Sequence, residues 1–214
     1  MDIFILPISN STFSEIDANL LQFVSEERQS KIMKYRFDID KKLSLYSSLL
    51  TRIELSKLTN IPYSKLLFEY TVNNKPKLIS TPNYYFNFSH TKNCILLCLS
   101  SVNPVGADIE HIDKAPLEIM ENTFHPSEQE FVHQSLQDSN TSFLKIWTRK
   151  EAYTKFIGVG LNTELTKINT LSPEFKDNFY SWKHDCYMCS IFSSKDSICS
   201  IKVVDFDYLK SYFL

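Results

Sequence analysis

Apolar residues recur at two different spacings along the first half of the chain, and each spacing predicts one type of element. A short apolar run predicts a strand over residues 3–8, and Ser14 and Ser25 precede helical patterns that they would cap. A longer helix is predicted from Asp38 or Asp40, with apolar positions at helical spacing: Ile39, Leu43, Tyr46, Leu50 and Ile53. Strands are then predicted over 67–72, 84–89, 94–100 and 104–110.

The second half again begins with helical patterns and ends with strands. Ser127, with Glu130 three residues later, predicts a capping box for a helix over residues 128–136. A strong helix over 141–157 and a turn in GVGLNT follow. Strands are predicted near 179–183, 187–193 and 198–204. Helices followed by strands in each half indicate an α+β fold with halves 1–102 and 103–214, although no sequence repeat is visible.

Composition and charge narrow the function classes. The 214 residues are 43% hydrophobic and 14% aromatic, which is ordinary for a folded protein. A net charge of −2 argues against a general nucleic-acid binder. Residues 28–42 are nevertheless basic, and from charge alone they fit a solvated helix face as well as a binding segment.

The chain shows no targeting or membrane signal. Its N-terminal apolar run is too short for a signal peptide, and no stretch approaches the roughly 20 apolar residues of a transmembrane helix. Five cysteines, an odd number, suggest reduced thiols. We therefore expect a cytoplasmic protein that does not act at a membrane.

The segment VGADIE, residues 105–110, places two carboxylates on one face of a strand. Asp108 and Glu110 would project together while Ala107 and Ile109 enter the core, because strand side chains alternate. Two adjacent carboxylates with only oxygen ligands favour a hard cation such as Mg²⁺. Taken alone, the segment also fits an exposed edge strand with two solvated acids.

The segment WTRKEAYTK, residues 147–155, places Trp147, Glu151 and Lys155 along one helix face. Glu151 and Lys155 form the i,i+4 arrangement of a common surface ion pair, which stabilises a helix by only a few tenths of a kcal/mol. The same pair also fits a metal ligand or base beside a cation that binds phosphate.

Two further short segments offer contacts for an anion. In NKPK, the stiff backbone at Pro76 would fix Lys75 for a phosphate contact. In FNFSH, Ser89 and His90 point to opposite faces of a strand and cannot form a nucleophile–base pair. His90 fits a phosphate or ribose contact, and also a structural histidine.

The order and spacing of these segments resemble the 4′-phosphopantetheinyl transferases of the type that activates surfactin synthetase. The resemblance begins at SEERQSKIMKYRFDID and includes NKPK, FNFSH, VGADIE, FHPSEQE and WTRKEAYTKFIGVGL. The family's two signatures, G-x-D-x-E and W-x-x-K-E-x-x-x-K, are both intact and are specific as a pair. The likeness covers nearly the whole chain.

The resemblance implies a fold, a reaction and a set of site residues. The fold would be two similar α+β halves about a pseudo-two-fold axis, with the site in the cleft between them. The protein would be a monomer that transfers phosphopantetheine from coenzyme A to a serine of an apo acyl or peptidyl carrier protein. Its site residues would be Asp108, Glu110 and Glu151 for Mg²⁺; Glu151 and Lys155 for catalysis; and Arg28, Lys31, Lys75, Ser89, His90, Lys150 and Lys155 for coenzyme A.

The sequence departs from the family pattern at two positions. Leu43 stands where a basic residue is common, which would shift a phosphate contact to Ser44 or Lys42, and Asn74 replaces a common glycine. Two other functions remain compatible with the motifs: a non-catalytic module that binds coenzyme A or a carrier protein, and a magnesium-dependent phosphohydrolase that uses water. Glu151 is the candidate base of the transferase, directly or through a water.

Overall fold

The first half of the chain forms helices and strands much where their sequence patterns place them. The structure is a computed structural model, which describes residues 1–73, 75–135, 138–158, 164–194 and 197–214. The elements are β1 (Asp2–Pro7), α1 (Glu15–Leu20), α2 (Glu26–Met33), α3 (Asp38–Thr59), β2 (Phe68–Tyr70), β3 (Pro76–Leu78), β4 (Tyr85–Thr91) and β5 (Cys94–Ser100). The predicted caps are confirmed, since Ser14 and Ser25 accept from the backbone of α1 and α2.

The second half also contains grouped helices and strands. Its elements are β6 (Val105–His111), α4 (Met120–Thr123), α5 (Pro126–Gln134), α6 (Ser139–Ile157), β7 (Phe179–His184), β8 (Tyr187–Ser193), β9 (Ser200–Val203) and α7 (Phe206–Phe213). The helices α4–α6 are grouped ahead of the strands β7–β9, with β6 before them and α7 after them, and this mixture of grouped helices and strands confirms the α+β prediction. The turn predicted in GVGLNT lies outside the described residues after Gly158. Among the described residues, no helix combines the length and apolar character of a membrane span.

The capping box predicted at Ser127 is wrong in position. His125 is the N-cap of α5, and its ring accepts from the Ser127 amide, while the Glu128 carboxylate accepts from the His125 amide. Pro126 occupies the first helical position, where a proline loses no hydrogen bond. The helix therefore begins two residues earlier than the Ser127 pattern indicates.

Two sheets form the middle of the molecule. The first has the strand order β4-β5-β1-β9, and the second has the order β6-β8-β7; β2 and β3 form a separate hairpin. Alternate residues of β1 and β5 pack on α3 from one face and on the second sheet from the other. The second sheet is covered on its outer face by α6. The order of layers is therefore α3, first sheet, second sheet, α6.

The last strand and the last helix return to the first half. β9 pairs in parallel with β1, and Leu209 and Phe213 of α7 enter the core that α3 covers. The boundary between 1–102 and 103–214 therefore falls between β5 of the first sheet and β6 of the second. β9 and α7, however, follow this boundary in the sequence and still pack with the first half. The pseudo-two-fold relation between the halves stays a prediction.

Gly106 is the point where α6 and β6 lie closest together. A Cβ built on Gly106 would lie 1.9 Å from the Ala152 carbonyl oxygen and 2.7 Å from the Phe156 nitrogen, both in the backbone of α6. Only a residue without a side chain permits this approach. The contact therefore determines how close Glu151 and Lys155 of α6 lie to Asp108 and Glu110 of β6.

Candidate active site

The two acids of β6 face α6, as their alternation predicts. Ala107 and Ile109 lie in the core between the sheets, whereas Asp108 and Glu110 point the other way. Asp108 is only 3% exposed, and Glu110 is partly buried. Two buried carboxylates exclude the alternative of an exposed edge strand with solvated acids.

Side chains of β4, in the first half, reach these acids across the junction of the two sheets. The Ser89 hydroxyl donates to Asp108 Oδ1 at 2.8 Å, and the Thr91 hydroxyl donates to Glu110 Oε2 at 3.1 Å. Two alternate residues of β4, Ser89 and Thr91, therefore hydrogen-bond to two alternate residues of β6, Asp108 and Glu110. The first half thus orients both acids of the second.

Lys155 brings its charge to the same place from α6. Its ammonium donates to Asp108 Oδ1 at 2.6 Å and to the Ser89 hydroxyl at 2.8 Å. Lys155 is therefore paired with Asp108 instead of forming the surface pair with Glu151. The Trp147 indole, on the same helix face, lies near Glu110 and favours the charged form of its carboxyl.

The charges of neighbouring acids and loss of solvation raise the pKa of Glu151 and of Glu110. Loss of solvation raises the pKa of Glu151 to about 7, and the charges of Asp108 and Glu110 add to this against the opposing effect of Lys155. Loss of solvation and the Asp108 charge also raise the pKa of Glu110. Clustered carboxylates that resist ionisation are typical of a site that receives a cation or a proton.

The chemistry of the cluster fits a hard divalent cation. It offers carboxylate oxygens, and the buried Asp108 Oδ2 has no hydrogen-bond partner. Among the residues that the structure describes, however, no three acidic, histidine or cysteine side chains converge closely enough to hold a metal ion by themselves. A cation here would need further oxygen ligands from outside the protein.

A pocket of about 550 Å³ opens beside the cluster, between α2, α3, the β2–β3 hairpin, β4 and the end of α6. It is lined by five of the seven residues predicted to bind coenzyme A: Arg28, Lys31, Lys75, His90 and Lys155. Ser89 lies just behind it, against Lys155. The pocket is therefore rich in cations, and one of them, Lys155, contacts Asp108 of the acidic cluster.

Arg28 and Ser44 present unpaired polar atoms at this pocket. Arg28 donates to the Ser44 carbonyl at 3.2 Å, but its Nε and the Ser44 hydroxyl, both buried, lack partners. Leu43 lies in the core, and Lys42 is paired with the buried Asp17 at 3.4 Å. Ser44 or Lys42 was predicted to make the phosphate contact of a basic residue at position 43. Of these two, Ser44 lines the pocket.

His90 points out of β4 on the face opposite Ser89, as predicted. More than a third of the residue is exposed, yet loss of solvation at the pocket, then the charges of Lys155 and Arg28, lowers its pKa. The ring is therefore neutral near pH 7 and flanked by cations. An anion bound between these groups would raise the pKa again.

Lys75 and Lys150 were predicted to bind coenzyme A, but both ammonium groups already have partners within the protein. The Lys75 ammonium donates to the carbonyls of Lys155 and Phe156 at 2.6 Å and 3.1 Å. Lys150 is 1% exposed and is paired with the buried Glu128 at 2.7 Å, away from the pocket. The prediction for Lys150 is therefore corrected: it lies a third of a helical turn from Glu151 and points into the second half.

Three residues to which the sequence analysis gave no role also contribute to the site. Thr91 orients Glu110, and Arg52 lines the pocket while donating to the carbonyls of Tyr63 and Leu66. Asn87 accepts from the Ala107 amide at 2.8 Å and joins the two sheets. The alternation of FNFSHT would have indicated Asn87 and Thr91, because they share a strand face with Ser89.

Comparison with known proteins matches both halves to one family. The model of the 4′-phosphopantetheinyl transferase superfamily matches residues 104–201. A model described as 4′-phosphopantetheinyl transferase, N-terminal, matches residues 11–101. Together the two models include every residue of the acidic cluster and of the pocket named above.

Individual relatives agree. The 4′-phosphopantetheinyl transferase gsp of Aneurinibacillus migulanus is 32% identical over 89% of this chain and 87% of its own. The transferase psf-1 of Bacillus pumilus is 29% identical over 78% and 72%, and Sfp of Bacillus subtilis (strain 168) is 26% identical over 77% and 74%. The chain therefore belongs to the 4′-phosphopantetheinyl transferase superfamily.

Proposed function

We propose that this protein transfers the 4′-phosphopantetheine group of coenzyme A to a serine of an apo carrier protein and releases adenosine 3′,5′-bisphosphate. The observation that carries the proposal is the position of Lys155. Its ammonium contacts Asp108 at 2.6 Å and also lines the pocket, so one cation connects the acids to the cavity. The named relatives, all 4′-phosphopantetheinyl transferases, support the same reaction.

The pocket is the proposed site of the nucleotide part of coenzyme A. Arg28, Lys31 and His90 would receive its 3′-phosphate, because all three line the pocket and can donate hydrogen bonds to an anion. The buried Ser44 hydroxyl would add a hydrogen bond. The diphosphate would then extend toward Lys155 and Ser89.

The acids are the proposed Mg²⁺ ligands. Asp108, Glu110 and Glu151 would hold the ion, and the diphosphate of coenzyme A would supply the further oxygens that the cluster lacks. When bound, the ion would neutralise charge on the diphosphate. Ser89 and Thr91 would hold Asp108 and Glu110 in orientation through the hydrogen bonds at 2.8 Å and 3.1 Å.

The reaction is a displacement at the β-phosphorus of coenzyme A. The carrier serine oxygen forms a bond to this phosphorus, and the bond to the bridging oxygen breaks, so that adenosine 3′,5′-bisphosphate leaves. Glu151 would accept the serine proton, directly or through a water molecule. Lys155 would offset negative charge on the leaving phosphate.

We further infer a cytoplasmic monomer. Cys186 and Cys199 are exposed free thiols. Exposed free thiols suit a reducing compartment. Size-exclusion chromatography with light scattering would test the monomeric state.

Transfer to a carrier is the first testable prediction. With coenzyme A and Mg²⁺ alone we expect little release of adenosine 3′,5′-bisphosphate. An apo carrier should start the release and gain one phosphopantetheinyl group per nucleotide released, measured by intact mass and by nucleotide chromatography. A carrier whose acceptor serine is replaced by alanine is the matched control and should not react.

Other outcomes of this assay would contradict the proposal. Release that does not need a carrier would instead support a phosphohydrolase that uses water. Tight binding of coenzyme A without release, over a panel of acyl and peptidyl carriers, would support a binding module. The panel also identifies the carrier, because specificity depends on a few contacts at the interface.

The metal assignment gives the second prediction. Glu110→Gln should lower transfer at saturating coenzyme A by about a hundredfold, because the amide is a weak ligand for a hard cation. Calorimetry should show Mg²⁺ binding in the presence of coenzyme A weakened by about tenfold or more. The fold should remain, since burial already raises the pKa of Glu110 and disfavours its charge.

Asp113→Asn is the control for Glu110→Gln. Asp113 follows β6 closely but is exposed and paired with Lys92. We expect this variant to bind Mg²⁺ and transfer as the wild type does. Wild-type activity of Glu110→Gln at limiting Mg²⁺ would contradict the metal assignment.

A further inference from the structure

The connection between β2 and β3 closes the C-terminal end of α6. On one side of position 74, the Asn73 amide donates to the Gly158 carbonyl. On the other side, the Lys75 ammonium donates to Lys155 and Phe156 at 2.6 Å and 3.1 Å. The connection is itself closed by the Thr71 hydroxyl, which accepts from the Lys75 amide at 3.1 Å. A hairpin of the first half thus supplies the cap of a helix in the second.

The end of a helix needs such partners. Its last carbonyls have no donors within the helix, and its C-terminus carries partial negative charge that a cation stabilises. Here Lys75 supplies the cation, and its third contact is the Val105 carbonyl at 3.5 Å. One ammonium therefore joins the last turn of α6 to the start of β6, next to the close approach at Gly106.

These contacts can occupy all three hydrogen-bond donors of the Lys75 ammonium. An ammonium has three hydrogens, and three carbonyl oxygens lie within reach of it. Burial also lowers the pKa of Lys75 to about 8. A phosphate would have to displace carbonyls to which this side chain already donates.

We propose that Lys75 is a positioning residue, which holds the last turn of α6 and with it the Lys155 ammonium, and is not a ligand of a coenzyme A phosphate. The inference rests on the proposed function for its effect on turnover. Its structural effect does not depend on any carrier. A shift of about 1 Å in Lys155 would lower transfer by as much as a hundredfold.

The test compares Lys75→Met with Lys77→Met. Lys77 lies two residues later, in β3, but its side chain is 66% exposed and pairs with the exposed Glu69 at 3.8 Å. In the free protein, Lys75→Met should speed amide hydrogen exchange at residues 155–158 by about tenfold or more. At saturating coenzyme A and carrier, kcat should fall by about 10- to 100-fold, while the Kd for coenzyme A changes less than about threefold. Lys77→Met should leave all three quantities unchanged.

Asn73→Ala is a milder second variant, because Asn73 is exposed and its loss should leave the fold intact. It should change exchange and kcat in the same direction by about threefold, and Lys75→Arg should restore exchange protection in the helix end. The proposal is overturned if Lys75→Met keeps wild-type exchange and loses only affinity for coenzyme A, with kcat recovered at saturation. Exchange and affinity need no carrier, so they decide the role of Lys75 even if no transfer occurs.

Discussion

Gly106→Ala is expected to destabilise the protein by about 4 kcal/mol or more, enough to prevent its accumulation as a folded chain. The new methyl group would lie 1.9 Å from the Ala152 carbonyl oxygen and 2.9 Å from the carbonyl carbon. Both atoms belong to the backbone of α6, so no side-chain rotation relieves the overlap. The helix would have to lift from β6 and carry Glu151 and Lys155 with it. Denaturant unfolding, or yield of folded protein, measures the effect.

Gly158→Ala is the matched control. This glycine has φ +74°, and among the described residues that are not its chain neighbours its added Cβ would meet the Lys75 side chain, at 3.9 Å. The expected cost is the backbone strain alone, about 1 kcal/mol. A Gly106→Ala variant within about 1 kcal/mol of the wild type would show that α6 does not depend on this close approach.

Glu151→Gln should change activity and stability in opposite directions. Transfer should fall by about a hundredfold or more, because the amide neither accepts a proton nor holds a hard cation well. At pH 8, with a chelator present, the free energy of unfolding should rise by about 1–2 kcal/mol. The gain comes from removing a carboxylate that loses solvation and lies near the charges of Asp108 and Glu110.

The stability gain should depend on pH in a definite direction. The folded state raises the pKa of Glu151 from 4.5 to about 7, so between these values it binds more protons than the unfolded state. The wild type therefore loses stability as pH rises from 4.5 to 7, and the advantage of Glu151→Gln is largest above pH 7. Glu118→Gln, at an exposed position outside the site, is the control. An advantage equal at pH 5 and pH 8 would contradict the electrostatic explanation.

Local patterns predicted the parts of the site that depend on one element. Alternation placed Asp108 and Glu110 on one face of β6, and helical spacing placed Trp147, Glu151 and Lys155 on one face of α6. Both placements are confirmed. They required only the periods of a strand and a helix, since each residue pair belongs to a single element.

The partners of these residues depended on long-range contacts and could not be predicted. Nothing local indicates that Lys75 donates to carbonyls eighty residues later, or that Lys150 meets Glu128 in the core. The resemblance assigned both lysines to coenzyme A because it compares residue types. The structure distinguishes them by burial and by their partners.

The same limit applies to the fold. The strand near 198–204 was predicted, but its pairing with β1 was not, because a short apolar segment does not specify its neighbour. α7 was missed altogether, although Asp205 caps it and its apolar residues Leu209 and Phe213 are four positions apart. Both elements pack on the first half, which the order of helices and strands along the chain does not reveal.

The return of β9 to the first sheet means that the chain passes between the halves twice. One passage precedes Val105 and the other follows Ser193, and these two residues are paired in the second sheet. The two connecting segments lie side by side. A rotation of one half against the other about this point would therefore displace the nearest residues least. At about 3.3 Å per residue, Glu110 lies roughly 16 Å from Val105 along β6, and Ala107 lies about 7 Å from it. A rotation of about 5° would then separate Thr91 from Glu110 by roughly 1.4 Å but Asn87 from Ala107 by less than half of that.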